Sequence, residues 1–152
     1  MKQKQLARES FRGAVLFSIR SSFVEAIFAG SKTVELRRHA PNVSQGTPMV
    51  MYSSGRDRAI RGHAVIGEIL ASDPDSLWEL VGNRTGISKL EYDAYFAGAV
   101  RAYAIALEGI SEGTHQVSLA DMRAQHGLEP PQSWRYLGIE SFERIRRAVS
   151  AA

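Results

Sequence analysis

The feature that most limits the fold is the brevity of the apolar segments and the order in which they come. Residues 14–19, AVLFSI, form a short apolar run and read as a buried strand. Residues 33–37, TVELR, alternate polar and apolar side chains as a half-buried strand does. Residues 49–53 and 60–69 give two further strands, with Gly62 and Gly67 permitting bulges or bends. Residues 102–107 return to strand, and after Pro130 and Pro131 residues 133–137 supply a last short one. Helices interrupt this series irregularly. One starts at Ser21, sets Phe23, Ile27 and Phe28 at helical spacing and stops at Gly30. Another opens with Asp73 as N-cap and Pro74 in its first turn, and a third with the capping-box pair Ser88 and Glu91. A short helix runs from Ser118 toward Gly127, and a basic one covers residues 139–149. Strands and helices in this order have no βαβ rhythm. The class is α+β, a small mixed β-barrel with helices packed around it.

At 152 residues the chain suffices for one domain, expected over residues 14–152 behind a flexible segment at residues 1–13. No apolar run approaches the roughly 20 residues of a membrane span. The polar opening MKQKQLARES lacks a signal peptide's apolar stretch, so a cytoplasmic protein without membrane contact is expected. With no cysteine, thiolate catalysis and Cys-based zinc sites are excluded. His39, His63, His115 and His126 show no metal-binding spacing, and no glycine-rich phosphate loop occurs, so neither a metal, a cofactor nor an NTPase is expected.

The formal net charge of +3 conceals a division along the chain. Residues 1–62 carry eleven basic and four acidic side chains, whereas residues 63–134 carry four basic and ten acidic. The cations are 15 arginines against 4 lysines. Arginine's planar fork suits phosphate oxygens and guanine edges, and it stacks on bases. An anionic partner for the basic half follows, on a polarised surface.

The most informative stretch is AGSKTVELRR, residues 29–38. A helix ends at glycine, a turn presents Lys32, and the following strand carries Thr33, Glu35 and Arg37 on one face. An ammonium, a carboxylate and a guanidinium thus converge, fit to bind a phosphate or base edge, or to serve as acid and base. By pattern alone, a surface lysine beside a Glu35–Arg37 ion pair fits as well.

In ordered segments the sequence resembles the ASCH domain family of the PUA-like superfamily. These are Phe23-x-x-x-Ile27-x-x-Gly-x-Lys-Thr-Val-Glu-Leu-Arg37, Gly46-x-x-Met-Val-Met-Tyr-Ser53, Ile60-x-Gly62 leading to Ile66-Gly-Glu-Ile69, Tyr92-x-x-Tyr-Phe-x-Gly98, and Pro130-Pro-Gln-Ser-Trp-Arg-Tyr136. The resemblance implies a PUA-like barrel with a cleft between barrel and helices that binds RNA or a nucleotide, with Gly30, Lys32 and Arg37 in the signature turn. The ASCH amidohydrolases that deacetylate N4-acetylcytidine use a lysine matched by Lys32. Their threonine position holds Glu35 here, and residues 83–88, NRTGIS, offer no counterpart to their later glutamate.

Two more segments are expected to complete the cleft. Residues 52–58 follow a strand end, where Ser53, Ser54 and backbone N–H groups can meet phosphate oxygens and Tyr52 can act on a proton. Ser133, Trp134, Arg135 and Tyr136 put a ring, a guanidinium and hydroxyls into four residues, suited to holding a base, with Trp134 equally suited to the core. The expected function is therefore binding of RNA or a modified nucleotide by Lys32, Glu35 and Arg37. The alternative is an RNA-directed hydrolase, a ribonuclease or acetylated-nucleoside amidohydrolase with Lys32, Glu35 and Tyr52 in the reaction. A third is a regulatory module that meets a protein partner through its acidic middle section, with Trp78 and the Tyr92–Phe96 helix.

Overall fold

The computed structural model describes residues 13–150. The segment expected to be flexible therefore lies, apart from Gly13, outside the described residues. Six strands form one mixed sheet: β1 (Gly13–Arg20), β2 (Val34–Arg37), β3 (Pro48–Ser54), β4 (Ala59–Ser72), β5 (Ala102–Ser118) and β6 (Trp134–Gly138). Five α-helices accompany them: α1 (Ser21–Ala29), α2 (Pro74–Val81), α3 (Lys89–Tyr95), α4 (Leu119–His126) and α5 (Ile139–Ser150), with a 3-10 turn at Gly82–Arg84 after α2. The strand order is β2-β5-β4-β3-β1-β6. β1 and β3 run parallel, and the other neighbours are antiparallel.

Local chemistry explains several of these elements. α1 stops at Gly30, whose φ of 86° is the left-handed conformation that glycine adopts without a Cβ penalty. Asp73 caps α2 by accepting from the Ser76 amide, with Pro74 in the first turn. Ser88 and Glu91 exchange both bonds of a capping box at the start of α3. The β4–β5 pairing shifts register between Ile60 and Gly62 and again between Ile66 and Ile69. At Gly62 a Cβ would come within 2.3 Å of the Ser111 carbonyl oxygen, so the close approach of the two strands requires glycine there.

The sheet is buried on both faces. Ala14 and Leu16 point into a cluster closed by Met122 of α4 and by Phe142, Ile145 and Val149 of α5. Val15, Phe17 and Ile19 point the other way, into a cluster with Val24 and Ile27 of α1. Burial on both sides is why β1 reads as an unbroken apolar run. A third cluster joins Val34 and Leu36 of β2 to Leu77, Val81 and Tyr92 of the helical insertion.

Two expectations are corrected. The sheet is not closed into a barrel: its order has two ends, β2 and β6. Side chains join these ends instead. Arg37 at the end of β2 donates through Nη1 to the Ser133 carbonyl (3.3 Å) and Oγ (3.0 Å), and through Nη2 to the Ser18 carbonyl (2.8 Å). Trp134 Nε1 donates to the His39 carbonyl, and the Asn42 amide donates to the Tyr136 hydroxyl. The second correction is β5, which continues to Ser118 instead of ending near residue 107. Glycines and charges at residues 108–115 break the alternation, yet β4 supplies the ladder partners Glu108, Ser111 and Glu112 require.

Candidate functional site

A cavity of about 480 Å³ lies where β1, β2, α1 and α3 meet. Ser18, Ile19, Arg20, Phe23, Lys32, Glu35, Arg37 and Tyr95 are among the residues that line it. Its size is within the roughly 300–1,000 Å³ typical of small-molecule sites.

Three ionisable side chains of this wall are withdrawn from solvent. Lys32 is 2% exposed, Glu35 5% and Arg37 9%. The Gly30 stop turns the chain, so that Lys32 enters the space beneath the 3-10 turn. There its Nζ donates to the Thr85 carbonyl at 2.9 Å and stands 4.9 Å from the centre of the Phe23 ring. The turn is clamped from both sides: the Thr33 amide donates to the Arg84 carbonyl and Arg84 Nε donates to Thr33 Oγ1. Gly86, with φ of 69°, passes so near that a Cβ would lie 3.0 Å from that of Lys32. Burial holds the Lys32 ammonium below its ordinary pKa; the Glu35 carboxylate opposes this and Arg37 adds to it.

Glu35 and Arg37 share a face of β2, as strand alternation predicts, while Val34 and Leu36 enter the apolar cluster. Arg37 Nε is 3.5 Å from Glu35 Oε1. Among the described residues, neither the buried Glu35 Oε2 nor Arg37 Nε has a hydrogen-bond partner. A buried carboxylate oxygen in that state costs free energy unless a donor meets it. Opposite, Tyr95 donates from its hydroxyl to the Leu36 carbonyl, and burial pushes its pKa up.

The other expected site residues stand elsewhere. Tyr52 lies on the opposite sheet face, packed with Leu16, Val50 and Ile60. Ser53 is fully buried, its hydroxyl placed between Ser21 Oγ (2.9 Å) and Asp57 Oδ2 (2.8 Å). The Ser53 hydroxyl is the main cause holding the Asp57 carboxyl below the usual range. Ser54 lines a second, shallower groove with Arg20, Ser21, Ser22, Glu25, Gly55 and Arg56. Ser133 is joined to the cavity through Arg37. Arg135 is exposed on β6, and Tyr136 is 43% exposed against the Trp134 ring. Phe23 and Tyr95 line the cavity, and Thr85 holds Lys32 from behind it, without any of the three being expected as site residues; Phe23 and Tyr95 sit at helical spacings that read equally as packing. Among the described residues no cluster of His, Cys, Asp or Glu could hold a metal ion, and no helix is long and apolar enough to cross a membrane.

The chain is similar in sequence and fold to known proteins. A curated relative named "ASCH domain-containing ribonuclease", from Zymomonas mobilis, is 27% identical over 135 residues, covering 88% of this chain and 90% of the relative. The crystal structure of the ASCH protein from the same organism matches with a TM-score of 0.85 and 26% identity, over 92% of this chain and 98% of that one. The N-terminal domain of Staphylothermus marinus McrB shares the fold at a TM-score of 0.59 and 14% identity, over 90% of this chain and 94% of that one. The α+β sheet with its surrounding helices is thus the fold of an ASCH domain. Residues 12–127 match the family model described as "Domain of unknown function (DUF365)", and the chain belongs to that family.

Proposed function

We propose that this ASCH domain binds RNA, or a nucleotide derived from it, in the cavity walled by Lys32, Glu35 and Arg37. The observation that carries the reading is the burial of three charged groups around an open space, with one carboxylate oxygen unpartnered. Charges withdrawn from water at a cavity wall are costly, and such sites concentrate where ligands are bound. Arg20 on the wall and Arg38, which donates to the Tyr95 and Ala97 carbonyls, add positive charge for phosphates. Ser133 supports the site from behind by holding Arg37; Arg135 and Tyr136 stand ready at the exposed edge of β6. A soluble cytoplasmic setting suits such a role.

The ribonuclease name of the relative supports a second reading, in which the bound RNA is cleaved. Lys32, with its lowered pKa, and Glu35 would then share acid–base work, and Arg37 would steady developing charge. Tyr52, on the far face of the sheet, contributes through packing in this reading.

Titration with a single-stranded oligoribonucleotide at low and physiological salt tests the proposal. Binding that weakens with salt and is lost in Lys32→Ala is expected; absence of binding at low salt sinks it. Turnover of the same RNA by the wild type, lost in Lys32→Ala, distinguishes cleavage from binding alone.

A further inference from the structure

We infer that the floor of the cavity takes a nucleobase by its hydrogen-bonding edge, with Glu35 Oε2 accepting an N–H of the base, while phosphates remain at the rim. The inference rests on the RNA reading above and names which part of the RNA enters.

The buried cations at first suggest a phosphate site, but most donors of Arg37 are already committed. Its two terminal nitrogens donate to the Ser133 carbonyl and hydroxyl and to the Ser18 carbonyl, so a phosphate could take their end-on fork only by displacing those bonds, and Nε is left unpartnered. Lys32 gives one of its three donors to the Thr85 carbonyl. Among the described residues, the buried polar atoms of this wall without a hydrogen-bond partner are a donor, Arg37 Nε, and an acceptor, Glu35 Oε2. A phosphodiester has no proton to offer it, and its charge would stand beside the carboxylate. The Watson–Crick edge of a base has what the wall lacks: an N–H donor beside an acceptor. The donor meets Glu35 Oε2, and the acceptor meets the remaining donors of Lys32 or the Nε of Arg37. Ile19, Phe23, Leu36 and Tyr95 supply apolar and aromatic surface for the faces of a ring. Such an edge is free only in an unpaired base.

The test measures binding of free nucleosides to the wild-type protein by calorimetry. Uridine has a single donor on its base, at N3. 3-Methyluridine lacks it, whereas 5-methyluridine keeps it and has the same size. Uridine and 5-methyluridine are expected to bind alike, with 3-methyluridine weaker by roughly tenfold or more. Inorganic phosphate is expected not to displace uridine. In Glu35→Gln, which keeps size and removes charge, the gap between uridine and 3-methyluridine should shrink. The wild-type comparison stands even where that variant fails to fold. Equal binding of uridine and 3-methyluridine, or displacement of uridine by phosphate, overturns the inference. Binding of single-stranded RNA without any nucleoside binding overturns it too and leaves the RNA reading standing; failure of both removes the reading as well.

Discussion

Lys32 is the residue at which burial and chemistry most directly oppose each other. Its ammonium has one hydrogen bond and a ring face, but among the described residues no carboxylate is within ion-pair distance, at 2% exposure. An apolar side chain of similar length removes the cost of keeping a charge out of water and gives up one hydrogen bond to a backbone carbonyl. Lys32→Met is therefore expected to unfold at equal or higher denaturant concentration near neutral pH, while losing ligand binding. The pH dependence follows from the direction of the shift. Because the folded value is below the 10.5 of a free lysine, the unfolded chain binds more protons between the two values. Wild-type stability should then rise with pH across that window, and the advantage of Lys32→Met should shrink. Denaturation curves for both proteins at stepped alkaline pH give the comparison. A wild type more stable than Lys32→Met at every pH would show that the lysine's contacts outweigh its desolvation.

At the scale of elements, β2 and β6 end the sheet without pairing to each other, and Arg37 of β2 bridges the gap with two hydrogen bonds to Ser133, just before β6, and a third to Ser18 of β1. A lysine cannot span both Ser18 and Ser133, because it lacks the planar fork. Arg37→Lys should cost about 1–3 kcal/mol, the range for a lost hydrogen bond to a charged group. Faster amide exchange in β2 and β6 than in β3 and β4 should accompany it; uniform exchange across the sheet would show that the seam carries little. This junction also shows what the sequence can reveal. Lys32, Glu35 and Arg37 are legible because a glycine stop and strand alternation are local rules, and those rules put Glu35 and Arg37 on one wall. The partners of that wall are not legible: Thr85 lies 53 positions from Lys32, and Ser133 lies 96 from Arg37. Tyr52 shows the same limit. Its place after a strand end fits a cleft, but the face it takes depends on the pairing of β3 with β1 and β4, which turns it into the core. The α+β fold is legible, whereas the opening of its sheet is not, since that depends on the strand order.

For the whole molecule, the question is how much of the arginine-rich half acts on a ligand. Residues 1–62 carry a net +7, which suggests one broad basic face. The ion pairs reduce it. Arg61 pairs with Asp57, Glu25 and Glu112, Arg56 pairs with Glu25 and Asp57, and Arg37 is buried beside Glu35. Arg20, on the cavity wall, and Arg38, bound to backbone carbonyls beside it, are the cations best placed for phosphates. For single strands the logarithm of affinity falls with the logarithm of salt by about 0.7 per phosphate contact. Two contacts give a slope of about −1.4, against about −5 if all seven net charges of the basic half engaged. Titrations of single-stranded RNA across a salt series measure this directly. Arg20→Gln should reduce the slope by about 0.7 and weaken binding similarly for every sequence, because a phosphate contact reads no base. Glu35→Gln should leave the slope unchanged, because it acts on the base edge. A slope near −5 would mean that the ion pairs around Asp57 open to RNA and that the binding surface extends from the cavity to the β3–β4 turn.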